Sequence, residues 1–100
     1  METKTHLFIF DAYDRAEREY NHRVCMLDEL SIRYHSKYAT TIVFIVEFAP
    51  EPYEMIYQFK IVNDKNKDYT LRGVKADCVI IDEYVTLDRE TKNYLRWIER

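Results

Sequence analysis

Leu71-Arg72-Gly73-Val74-Lys75-Ala76-Asp77-Cys78-Val79-Ile80-Ile81-Asp82-Glu83-Tyr84 is the stretch that decides how this 100-residue chain folds. An apolar run over Asp77–Ile81 is entered from a polar link and left through two adjacent carboxylates. The run suits a buried strand. Its abrupt charged exit puts Asp82 and Glu83 at the carboxyl end, where α/β sheets place their ligands. The stretch also holds the chain's single glycine, Gly73. A phosphate-cradling loop of the form G-x-x-x-x-G-K-[ST] needs two glycines, so none can form within this sequence.

The neighbouring elements follow from periodicity. His6 to Phe10 reads as another short buried strand. Asp11 follows as an expected N-cap. Tyr13, Ala16, Tyr20, Val24, Leu27, Leu30 and Tyr34 then recur at spacings of three and four and line one face of a long helix, which frays in His35-Ser36-Lys37. Glu19 and Arg23 are spaced i,i+4 on its polar face, acid first. Ile42 to Val46 is apolar at every position, the pattern of a central strand covered on both sides. Ala49-Pro50-Glu51-Pro52 breaks it. Met55, Tyr57, Phe59 and Ile61 alternate with Glu54, Ile56, Gln58 and Lys60, which predicts a second hairpin strand with one buried face. Asn63–Asp68 is a polar turn; Asp64 and Asp68 have no mid-loop Gly of the EF-hand kind. Thr86 or Asp88 caps a last helix with Leu87, Thr91, Tyr94, Leu95 and Ile98 on one face. The expected fold is a single α/β domain over residues 1–100: a small mixed sheet of about four strands, a long first helix and a C-terminal helix. The first and last strands are the expected parallel neighbours, because a helix directly follows each.

Composition narrows the function. With 47% hydrophobic and 33% charged residues, the chain is that of an ordinary folded domain. The net charge is −3, from 15 basic and 18 acidic residues, and the signs are interleaved. Nucleic-acid binding by counterion release wants a basic footprint, so direct binding of DNA or RNA is disfavoured. No apolar run approaches the roughly 20 residues of a membrane span, and the start lacks a signal-peptide core. Cys25 and Cys78 fall within apolar patterns and read as buried reduced thiols, with a disulfide between them left open. The expected setting is the cytoplasm.

The Asp82-Glu83 pair has a clear chemical use. The first acid after a rigid strand can hold a hydrated Mg²⁺, and the second can orient or deprotonate an attacking water. The segment from Tyr69 to Val85 resembles the Walker B region of the large terminase subunits, the ATPases that package DNA into tailed phage and herpesvirus capsids. The residues that carry the resemblance are Arg72, Gly73, Ala76, Asp77, Val79 to Ile81, Asp82 and Glu83. Phe8 to Ala16 with the helix after it, and the Ile42–Phe48 and Met55–Val62 hairpin, are similar to the elements that precede this region. The resemblance implies a catalytic Glu83, a Mg-holding Asp82, and Arg72 and Gly73 at the nucleotide. The family's phosphate loop lies N-terminal to everything seen here, and neither it nor a nuclease domain is in this sequence. ATP and Mg are therefore expected only if a partner chain completes the site.

The remaining candidates have plainer readings. His22 and Cys25, i,i+3 on the helix, have no further ligand at zinc spacing. The Tyr13, Tyr20, Tyr34 stripe reads as helix packing. Trp97 docks the last helix or anchors an interaction. Two functions follow. One is a phage or prophage protein like the Walker B part of a terminase ATPase, inactive alone and working within or beside a DNA-packaging or other ATPase complex. The alternative is a small non-enzymatic viral protein that binds a host or viral protein. A homo-oligomer paired through an edge strand near Tyr57 is a third expectation.

Overall fold

The structure, a computed structural model, describes residues 1–63 and 65–100, so the Asp64 part of the expected Asn63–Asp68 turn lies outside the described residues. In chain order the elements are β1 (Glu2–Phe10), α1 (Tyr13–Glu29), β2 (Tyr34–Lys37), β3 (Thr41–Val46), β4 (Tyr53–Ile61), α2 (Lys67–Thr70), β5 (Cys78–Ile81) and α3 (Arg89–Ile98). The strands form one mixed sheet in the order β2-β3-β4-β1-β5. This is the expected α/β domain, with five strands where about four were expected. β1 and β5 are parallel neighbours, as the helix after each predicts. β1 is also parallel to β4, while β2, β3 and β4 run antiparallel in succession.

The extra strand, β2, comes from a correction at the helix end. α1 stops at Glu29 and does not run on to His35. Ser31 takes a left-handed φ of 56° without being glycine. The N–H of Ile32 then reaches back to the carbonyl of Leu27 at 2.9 Å, a Schellman-type closure. At the other end the expected cap fails. Ala12, not Asp11, is the N-cap residue and makes no side-chain cap bond. Of the two caps expected for α3, Asp88 is the one used: its carboxylate accepts from the N–H of Thr91 at 2.7 Å.

Each face of the sheet has its own core. Phe8, Phe10, Ile42, Phe44, Val46, Met55 and Phe59 pack under Ala16, Tyr20 and Leu27 of α1. Leu7 and Ile9, on the opposite face of β1, pack with Leu71, Leu87, Leu95 and Ile98. Sequential residues of β1 thus serve opposite cores, and its even and odd positions are both buried. β3 has the same apolar pattern but not the same cover. Ile42, Phe44 and Val46 are buried, whereas Val43 and Ile45 stay half-exposed and join neither core. The expectation that both faces of β3 are covered is therefore corrected. α3 lies over β1 and does not extend across to β3.

The edges also differ from expectation. Tyr57 lies on β4, between β3 and β1, so no edge is available there. The edges are β2, which is polar and mostly exposed, and β5. β5 is not a buried strand: Ile80 and Ile81 are 37% and 43% exposed. The chain after α3 returns along its outer side. Ala76 donates to the carbonyl of Ile98 at 2.9 Å and accepts from the N–H of Arg100 at 2.7 Å. The outward N–H of Val79 is taken by Glu99 Oε1 at 3.0 Å.

Candidate functional site

Two regions can carry function: the carboxyl ends of β1 and β5, and the uncovered face of β2–β3–β4. At the first, Asp82 donates its N–H to the carbonyl of Ile9 at 2.9 Å, which fixes it beside the end of β1. A turn closed by Val85 N–H to Asp82 O at 3.0 Å leaves Glu83 and Tyr84 exposed. The centre of the cluster is Arg15, in the first turn of α1. Its Nε donates to Asp82 Oδ2 at 3.1 Å, and its Nη2 pairs with Asp11 Oδ1. Its guanidinium carbon lies 5.3 Å from the Tyr84 ring centroid. One cation thus bridges acids at the ends of two parallel strands. The Asp11-x-x-x-Arg15 spacing at the strand–helix junction signals only half of the cluster, and the link to Asp82 is tertiary.

The predicted site residues do not all meet. Arg72 and Gly73 occupy a turn closed by Val74 N–H to Leu71 O at 3.1 Å, with Gly73 at φ 71°. That turn enters β5 from its amino end, while Asp82 and Glu83 leave from its carboxyl end. Asp77, between them, clamps β1: it donates to Thr5 O at 2.8 Å, and its Oδ2 accepts from Thr5 N–H at 2.7 Å. The residues also do not fit a divalent ion. Mg²⁺ wants several free oxygens in octahedral array. Asp82 and Asp11 are both engaged by Arg15, and among the described residues no three His, Cys, Asp or Glu side chains gather to hold a metal. The thiol expectation is corrected as well. Cys25 is exposed and Cys78 half-buried, and both are free.

No known protein family, curated protein or solved structure matches the chain.

The second region is built by strand register. Val43 pairs with His35 on one side and Ile56 on the other, and Ile45 pairs with Glu54. Alternation puts these side chains on the face away from α1. Beside them opens a cavity of about 810 Å³, whose lining includes Val43, Ile45, Arg33, His35, Glu47 and Glu54. Leu30 and Phe48, 65% and 85% exposed, stand at its margin. Arg33 lies on the β2 side, and Glu54 lies on β4. No helix among the described residues is long and apolar enough to cross a membrane.

Proposed function

We propose that this chain is a non-enzymatic protein-binding module, viral in origin, that acts by docking on another protein. The single observation that supports this most is the uncovered face. Antiparallel strands with one wet face ordinarily alternate apolar-in with polar-out. β3 instead carries Val43 and Ile45 where water would call for polar side chains, and β4 adds Ile56 beside Val43. Apolar side chains left half-exposed in one place, with exposed Leu30 and Phe48 beside them and charge at the rim, form the kind of patch that interaction sites use.

Affinity capture with the wild-type chain and with Ile45→Lys tests this, circular dichroism confirming that both are folded. Wild type retains a specific protein and Ile45→Lys loses it. Equal retention removes the reading, as does none by either when an untagged copy of the chain is offered as well.

A second reading, completion of a split terminase-like ATPase in trans, is favoured by one feature: Asp82-Glu83 ends a strand parallel to β1 at the sheet edge. A strand added there must displace Glu99 from Val79. ATP turnover that appears with a phosphate-loop partner and vanishes with Glu83→Gln would establish it. Turnover unchanged by that substitution would dismiss it.

A further inference from the structure

We infer that the protein bound on the open β2–β3–β4 face is a second copy of this chain, docked face to face about a two-fold axis running along β3. The inference rests on the protein-binding reading above and names the partner.

The charges on this face are arranged for self-recognition. The β2–β3 ladder pairs Tyr34 with Phe44. One residue further along the antiparallel register, Arg33 comes level with Ile45, and Ile45 is paired with Glu54. Arg33, the residue before β2, and Glu54 on β4 thus flank Ile45 on its two sides and line the same cavity. His35, Val43 and Ile56 form a row across the three strands. Within one copy, β2 and β4 are two strand spacings apart, about 10 Å, and the ion pairs of the described residues do not join Arg33 to Glu54. A two-fold axis along β3 keeps these residues level and exchanges the sides. It lays β2 of one copy over β4 of the other. Arg33 then faces Glu54 of the second copy, and the contact occurs twice. The same operation sets Val43 and Ile45 against their own counterparts at the separation of stacked sheets, about 10 Å.

A foreign partner would need only an apolar surface. A second copy satisfies the cation and the acid on opposite sides of the central apolar strand at once, and makes each pair twice. Phe48 and Leu30 extend the apolar contact beyond the strands. Three short strands bury less than a permanent dimer does, so the assembly is a concentration-dependent one.

Sedimentation equilibrium of the full chain tests this. Wild type shows a reversible monomer–dimer equilibrium, and Ile45→Lys is monomeric throughout. Arg33→Glu and Glu54→Arg each weaken the dimer about tenfold, because each breaks two symmetric pairs and creates like-charge contacts. The double variant R33E/E54R returns to near wild-type affinity. Both charge positions are at the rim, so these variants report on the interface even if Ile45→Lys fails to fold. A monomeric wild type at the highest concentration, a dimer indifferent to the single reversals, or a double variant no better than either single overturns the inference. A monomeric wild type that still captures another protein through Ile45 overturns the second copy alone and leaves the protein-binding reading standing.

Discussion

β1 and β3 carry nearly the same sequence pattern, apolar at consecutive positions, yet they sit in differently built halves of the sheet. β1 has α1 on one face and α3 on the other, so Leu7 and Ile9 are fully buried and Phe8 and Phe10 nearly so. β3 has α1 on one face, and on the other Val43 and Ile45 stay half-exposed and join no core. An apolar run therefore reports a demand for burial on both faces. Whether the chain meets that demand itself depends on where its helices reach. In the half around β1 it does, and in the half around β3 the demand is left for another molecule.

The largest expected effect tests that contrast directly. Leu7→Ala removes a side chain that is 0% exposed and leaves a hole between β1 and α3. Its cost is about 2–5 kcal/mol. Ile45→Ala, on the open face, costs about 1 kcal/mol or less. Urea unfolding of both variants at a concentration low enough to keep the chain monomeric measures the difference. Equal losses would mean that the β3 face is covered after all.

A smaller effect is expected where the covered half begins. Gly73 has φ 71°, and a methyl group added to it would meet nothing within 4 Å. Gly73→Ala should therefore cost only the left-handed backbone strain, about 1–2 kcal/mol. Arg72→Ala beside it should leave stability nearly unchanged, since Arg72 is exposed. Thermal melts of the two variants separate a turn requirement from a role for the pair. A marked loss in Arg72→Ala would show that the arginine holds something the turn alone does not.

What was legible in the sequence was local. The strand expected over Asp77–Ile81 and found at Cys78–Ile81, the proline-broken hairpin, and the last helix, capped by Asp88 of the two expected caps and buried at Leu87, Thr91, Leu95 and Ile98 though not at Tyr94, all follow from short patterns. The end of α1 was not legible, because the helical spacing runs on through Leu30 and Tyr34 while Ser31 reverses the chain without a glycine to mark it. The site was only half legible. Asp82 and Glu83 are visible as a charged strand exit. Arg15 can be tied to Asp82 only after β1 and β5 are known to be adjacent, a contact across 67 positions. The bare face of β3 was hidden for a similar reason: periodicity shows which positions are apolar, not how far α3 extends.

The smallest effect concerns proton binding in the covered half. His6 lies on β1, half-buried under α1, with its ring stacked 5.8 Å from that of Tyr57. Burial holds its pKa below the ordinary 6.5, the Arg23 guanidinium and Lys4 push the same way, and Asp77 opposes them. The unfolded chain therefore takes up the proton first as pH falls. Between 6.5 and the lower folded value it holds more protons than the native state, so stability rises with pH across that window. The contribution is intact above 6.5 and is lost as pH falls through the folded pKa. His6→Phe should flatten this part of the stability profile. Arg23→Ala should flatten it in part, since it removes one of the two cations and leaves burial in place. Urea midpoints across the window check both. A profile as steep in His6→Phe as in wild type would place the titration elsewhere. It would also mean that cover by α1 does not perturb the polar residue it lies on.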